Sequence, residues 1–572
     1  MKTNYNFLFN GLVLALLLAF FDVNLAFSNN IQVSSVTLVN QNTSAGPNNP
    51  SNHTFVRFNL TWDNSWRTNT GPGNYDAAWV FVKFQPFGGN YAHATLSSTA
   101  ANHTVTNNNG VPAEFKTVPD GVGVFIQRAN NGGPGANNWQ DVLLRWDYPA
   151  NGVLDNQSVT VQVFAIEMVF IPQGSFYLGD GNINQNPSSN AFRRNNVPTT
   201  TPLGNEAYLV TSENAITFVN NTSTVLTGAY DPQVPNGYTL SATYPKGFQA
   251  FYTMKYEVSQ KQYVDFFNTL PTSPIADPQK GNRNITQTAA NSARSNFNWS
   301  NNNLDDANLN RFGTTPPAQG SGDRAQNWVG WNDARTYLDW SGLRPMSEFE
   351  YEKMCRGNDI TYGPIYPINS EFAWGNVSIN SIAAGALAGA GPADNTASEG
   401  LLNPSTNTAN AHTVNVVLNS GAVAGNQSGP VRSGIFAAKN FTTAQRRQAG
   451  ASFYGVMELT GNLREFVVTA STPFSTCYGQ PYSSPFTHTL HGNGIIPSGT
   501  SDIASWENNA TTSNTGRTNI SFRGGSFSQG AHPVSLREII TSSNCSGSSP
   551  LNPAPNNRTA DYGVRGVRST FN

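Results

Sequence analysis

Charge is scarce in this chain. Only 12% of its 572 residues are Asp, Glu, Lys or Arg, and the net charge is −2. A nucleic-acid partner needs a dense basic surface to displace counterions from phosphates, so that class is excluded. The paired arginines Arg193–Arg194 and Arg446–Arg447 are isolated and read as solvated or salt-bridged. Cysteine is scarcer still, with Cys355, Cys477 and Cys545 the only three. They allow at most one internal disulfide and match no zinc spacing, so packing must stabilise the fold. Long apolar runs are missing beyond the first thirty or so positions, which leaves no membrane span there. No P-loop, G-x-S-x-G elbow or HExxH helix occurs. "DGNINQN" from Asp180 starts like a calcium loop, but Gln185 stands where glycine is needed and Ala191 at the twelfth position.

The first residues do carry a short apolar run. Lys2 is followed by Leu12 to Phe21, and Ala26 and Ser28 fit the small positions before a cleavage point. Residues 1–28 read as a secretory signal peptide, and the expected location is secreted, periplasmic or cell-surface. No transmembrane segment is expected after cleavage.

Residues 29–166 have a strand pattern. Val33–Val39, Phe55–Trp62, Ala78–Phe84, Gly123–Arg128, Val142–Trp146 and Val159–Ile166 alternate or run apolar at strand length. The connectors are rich in Asn, Gly and Pro. Short strands with such turns predict an Ig-like β-sandwich. Trp62, Trp66, Trp79 and Trp146 are either core aromatics or a platform for stacking sugars.

From Glu167 onward the pattern is mixed, with almost no linker. Three short amphipathic helices are expected. One is "NDARTYLDW" with Asn332 as N-cap, and one is "SEFEYEKMCRG", capped by Ser347 with Glu350 and stopped by Gly357. The third is "SQKQYVDFFNTL", with Tyr263, Phe266, Phe267 and Leu270 on one stripe. Polar stretches near 182–244, 271–326 and 379–428 read as surface insertions. His488 and His491 form the only close pair among seven histidines and read as a solvated loop pair. Glu348 and Glu352, one helical turn apart, read as a solvated face with a salt bridge.

Six blocks of this second part occur in a recognisable order: "MVFIPQGSFYLG", "FQAFYTMKYEVSQKQYVDFFN", "VGWNDARTYLDWSGLRPMSEFEYEKMCRG", "YGVMELTGNLREFV", "FRGGSF" and "YGVRGVRS". Together they resemble the formylglycine-generating enzyme, or sulfatase-modifying factor, family. The resemblance implies a mixed α+β, β-rich chain, with the N-terminal β-sandwich followed by an elaborated C-type-lectin-like domain over residues 167–572.

The resemblance also implies where chemistry should sit. The family's two copper-binding cysteines follow Gly-Gly-Ser, and soft thiolates suit copper(I). Here those positions fall near Gln529 and Val534, and no copper is expected. The family's indole beside the active site is Arg464 in this chain, while Ser526 matches the family's serine. The family's structural calcium would correspond to the carboxylates of Glu458 and Glu465 and the carbonyls of Gly461 and Leu463. Otherwise both glutamates are ordinary surface acids.

The expectation is a secreted, non-catalytic binding or structural protein, a pseudoenzyme that meets an unknown protein or glycan at the cell surface. Its candidate contacts are Arg464, Ser526, Gln529 and His532. The alternative is an oxidoreductase of the formylglycine-generating type, or an unfamiliar metal-dependent enzyme using Cys545, or His532 with Arg464.

Overall fold

The computed structural model describes residues 31–179, 192–195, 207–218, 225–228, 238–270, 298–299, 307–308, 321–357, 378–381, 408–411, 429–437, 449–470, 486–496, 499–506, 520–528, 530–531 and 558–570. Residues 1–28, the loop from Asp180 and most of the three polar insertions lie outside the described residues. So do the side chains of Arg193 and Arg194, and Arg446 and Arg447 entirely.

Eight main strands build the first part: β1 (Gln32–Asn42), β2 (His53–Arg67), β3 (Asp76–Pro86), β4 (Thr104–Asn107), β5 (Ala113–Thr117), β6 (Val124–Arg128), β7 (Gly132–Trp146) and β8 (Val159–Ile171). A four-stranded sheet has the order β1-β2-β7-β4. The second sheet has seven strands and draws on both parts of the chain. Its order is β13-β9-β8-β3-β6-β5, where β9 is Phe251–Met254 and β13 is Val567–Ser569, and the short strand Ala92–His93 pairs on β3.

Strand β3 shows why the sequence there is apolar without interruption. Every residue from Asp76 to Phe84 is buried. Alternate side chains point to opposite faces of a strand. Ala78, Val80, Val82 and Phe84 enter a cluster with Val56, Phe58, Leu60 and Trp62 of β2 and Trp139, Val142, Leu144 and Trp146 of β7. Ala77, Trp79 and Phe81 enter the other cluster, with Leu338, Trp340, Leu343 and Met254. Strand β8 divides in the same way, with Val163 in the first cluster and Ile166 and Met168 in the second. The seven-stranded sheet is therefore a layer covered on both sides. Residues 166 and 167, where the sequence changes character, are consecutive positions of one strand.

Polar contacts fasten the layer to what packs on it. Trp79 Nε1 donates to the Ser341 carbonyl at 2.8 Å, and Asn74 Nδ2 to the Tyr454 carbonyl at 2.7 Å. Gly342 (φ +72°) lies so close that an added Cβ would sit 2.4 Å from Val122. A side chain there would force the two bodies apart.

The described helices are α1 (Gln260–Asn268), α2 (Trp331–Trp340) and α3 (Glu348–Arg356). Ser347 and Glu350 cap α3 reciprocally, and Ser259 and Gln262 do the same for α1. Helix α2 departs from expectation. Its N-cap is Gly330, and Asp333 accepts the Gly330 N–H at 2.9 Å, so Asn332 lies inside the first turn. The carboxylate three positions into the helix takes over the capping that was assigned to Asn332.

Other expectations also change. Trp62, Trp66, Trp79 and Trp146 are all buried, so no stacking platform forms from them. His491 is buried and its Nε2 accepts the Ser569 N–H at 2.9 Å, so it belongs to no solvated pair. Glu348 and Glu352 are fully buried and pair with Arg523 at 3.3 and 3.2 Å. A buried guanidinium needs that double carboxylate, which is why the helix turns these acids inward.

Candidate functional site

The site grows from a small sheet of order β11-β10-β12, where β10 is Arg464–Val468, β11 is Ile520–Arg523 and β12 is Tyr562–Gly563. The segment "ELTGNLRE" enters β10 through backbone that coils left-handedly three times, at Glu458 (φ +61°), Gly461 (φ +86°) and Asn462 (φ +57°). Glycine and asparagine accept such angles readily, and glutamate does so only when held. The Gly434 N–H holds it, donating to Glu458 Oε1.

"RGGS" leaves β11 alongside. Gly524 (φ +93°) accepts the Gly461 N–H at its carbonyl at 2.9 Å, and a Cβ on it would lie 2.6 Å from the Leu459 carbonyl. The Phe527 N–H then donates to the Asn462 carbonyl at 2.9 Å. The two stretches of sequence are thus one interlocked backbone unit.

Ser526 sits on this unit, fully buried. Its hydroxyl donates to Asp561 Oδ2 at 3.2 Å and lies 3.2 Å from Ser528 Oγ. Ser528 Oγ donates to the same oxygen at 3.0 Å, and Thr559 Oγ1 to Asp561 Oδ1 at 2.8 Å. Arg464 pairs with Asp561 at 2.7 Å while its guanidinium covers the Tyr562 ring at 4.9 Å. Arg464 and Ser526 are therefore brought together, through Asp561. The cluster opens to solvent at Ser528, which is exposed, and at the partly exposed Arg464. Gln529, His532, Val534, Cys477 and Cys545 lie outside the described residues. Cys355 is buried, and burial pushes its thiol far above the usual range.

Beneath the turn lies a carboxylate cluster of Glu257, Glu458 and Glu465, all buried. The reading of Glu458 and Glu465 as surface acids is therefore overturned. Glu257 accepts the Leu463 N–H at 3.0 Å and also Asn462 Nδ2, using both oxygens. Glu465 Oε1 takes Arg565 Nε at 2.8 Å, while Arg565 also donates to the carbonyls of Met254 and Met457, each at 2.7 Å. Burial raises all three carboxyls, and the neighbouring carboxylates raise Glu257 and Glu458 further. Glu458 is pushed up to about 7.

The donor chemistry at the expected calcium position fits an oxygen-seeking cation. Glu458 Oε2 and Glu465 Oε2 are buried with no hydrogen-bond partner. Two such oxygens beside a tight glycine-containing turn suit a hard ion. Among the described residues no three His, Cys, Asp or Glu side chains form a metal-holding group, so carbonyls would have to complete any such shell.

The family described as "Sulfatase-modifying factor enzyme 1-like domain" matches residues 211–570. The chain belongs to this family. A search of curated proteins returned no match. Within the sulfatase-modifying factor domain, reading the sequence named Arg464, Ser526, Glu458 and Glu465 as candidates. It missed Asp561, Ser528, Thr559, Glu257 and Arg565. Asp561 directly precedes the "YGVRGVRS" block, and an acid there was the available signal for a partner to Arg464. Glu257 and Arg565 lie inside two of the matching blocks, but only folding shows that they meet.

Proposed function

We propose that this is a secreted binding or structural protein whose sulfatase-modifying factor domain carries out no oxidation. The observation that carries this reading is the setting of Ser526. Its neighbours are a carboxylate, two further hydroxyls and a guanidinium, joined by hydrogen bonds. Such a surface offers charge and polar donors to a ligand. Among the described residues it holds no soft donor for copper(I), and near the positions where the resemblance puts the family's two thiols the sequence has Gln529 and Val534. Arg464, Gln529 and His532 are the proposed contacts, while Ser526, fully buried, holds Asp561 rather than the ligand; a protein or glycan at the cell surface is the proposed partner. The N-terminal part is read as a β-sandwich that presents this domain, because its two sheets share one apolar cluster.

A structural calcium is part of the same reading. Glu458 and Glu465 would supply carboxylate oxygens, and Gly461 and Leu463 backbone carbonyls. The ion would neutralise buried carboxylates and fix the turn that carries Arg464.

Metal analysis of the purified mature protein tests the proposal, together with incubation of a cysteine-containing sulfatase peptide with copper and oxygen. The expected result is no bound copper and no aldehyde in the peptide. Stoichiometric copper, or conversion of the thiol, would overturn it.

A further inference from the structure

A second buried ionic cluster lies within the seven-stranded sheet, next to the carboxylates of this site: the Met457 N–H donates to the Lys255 carbonyl at 3.0 Å. Asp76 on β3, Glu167 on β8 and Lys255, just past β9, come from three adjacent strands. The register sets Ala78 opposite Glu167 and Asp76 opposite Val169, and the Lys255 N–H donates to the Glu167 carbonyl at 2.9 Å. Side chains two apart along a strand share a face, so all three groups meet on one side of the sheet. They are 0%, 3% and 1% exposed, respectively. Lys255 Nζ is 3.1 Å from Glu167 Oε2 and 3.7 Å from Asp76 Oδ2, and it lies over the rings of Trp66 and Tyr256 at 5.0 and 5.2 Å.

Two carboxylates and one ammonium leave an excess negative charge in an apolar place, so one carboxyl must hold a proton. Burial, with Asp76 adding and Lys255 opposing, pushes Glu167 up to about 7. Burial raises Asp76 as well, against Lys255 and its hydrogen bonds. Such a cluster is an expensive way to hold a sheet together. It is also the set of groups that amide formation needs: an amine, a carboxylic acid and a second carboxyl to carry the proton.

We infer that Lys255 and Asp76 are joined by an intramolecular amide bond, formed in the folded chain with Glu167 as the proton carrier. Burial disfavours the Lys255 ammonium, but Tyr256, Glu167 and Asp76 hold it above its usual range, so the amine is a minor form, made when Lys255 passes a proton to Glu167 along their hydrogen bond. Its lone pair attacks Cγ of the protonated Asp76 carboxyl. Asp76 Oδ1, which accepts Ser65 Oγ at 2.7 Å and the Trp66 N–H at 3.1 Å, carries the developing negative charge. Glu167 gives its proton to the Oδ2 hydroxyl, which leaves as water, and takes the second proton from nitrogen, so that Glu167 ends protonated. One C–N bond forms, one C–O bond breaks, and no oxidant or cofactor is consumed. The new bond ties β3 to the segment just past β9 across β8, and so cross-links the two parts of the chain.

Intact-mass measurement of the purified full chain, referred to its measured N-terminus, tests this directly. The expected mass is lower than that of the linear sequence by one water, about 18 Da. Trypsin should fail to cut after Lys255, and tandem spectra should show the Asp76 and Lys255 peptides as one branched species. Glu167→Gln should restore the full mass and the tryptic cleavage while the chain still folds by circular dichroism. A folded wild-type chain of full mass, with both peptides linear, overturns the inference. So does a water loss that maps elsewhere. A cross-link that persists in Glu167→Gln overturns the role given to Glu167.

Discussion

Arg464 and Asp561 meet twice: the guanidinium reaches the carboxylate at 2.7 Å, and the Arg464 N–H donates to the Asp561 carbonyl at 2.8 Å. The backbone bond belongs to the sheet and any residue could make it. The side-chain bond depends on arginine. It holds Asp561 where Ser526, Ser528 and Thr559 all donate to it.

Replacing Arg464 by Ala should leave a mostly buried carboxylate with hydroxyl donors alone. The expected cost is about 1–3 kcal/mol, since breaking one side of a buried pair strands the other charge. Urea denaturation of Arg464→Ala and Asp561→Asn checks this. A change within about 0.5 kcal/mol in both would mean that the pair is surface decoration.

Gly524 makes a separate prediction. At φ +93°, with a Cβ position 2.6 Å from the Leu459 carbonyl, alanine cannot be accommodated without moving backbone. Gly524→Ala should cost about 2 kcal/mol or more. It should also expose the Gly461 amide, which ordinarily donates to the Gly524 carbonyl, to faster hydrogen exchange. Unchanged exchange at Gly461 would count against the interlocked unit.

His93 should make stability depend on pH. Burial holds its imidazole well below the usual 6.5, and Lys83 and Arg568 add to the effect. The folded chain therefore stays neutral there while the unfolded chain takes up a proton. The sign follows: this contribution is fully present above the unfolded value and is lost as pH falls through about 6.5, by up to about 1.4 kcal/mol per pH unit. Comparing urea midpoints at pH 7.5 and 5.5 for wild type and His93→Gln measures it. The wild type should lose more stability than the variant. Equal losses would place the pH dependence elsewhere.

Calcium makes a prediction of its own. If Glu458 and Glu465 hold the ion, adding it to chelator-treated protein should raise Tm, by an amount equivalent to about 2.7 kcal/mol at a hundredfold excess over Kd. Glu465→Gln should abolish the rise. A Tm indifferent to both calcium and chelator removes the ion from the reading.

Much of this protein was legible before folding was considered. Periodicity located β2, β3 and β8 because a strand's alternation is a local property. Ser347 and Glu350 announced α3 because a capping box spans only four residues. The ordered blocks placed the family. Other features depend on which surfaces meet. Glu348 and Glu352 had the spacing of a solvated helix face, yet Arg523 from a distant strand draws them inside. Trp79 could have faced a sugar until Ser341 and Gly342 closed over it. Glu257 gave no sign of joining Glu458 and Glu465, more than two hundred positions away, nor Lys255 of reaching Asp76 across β8. Sequence records short-range preference and composition, whereas burial and charge pairing are properties of contacts between segments far apart in the chain. Those contacts exist only in the folded protein.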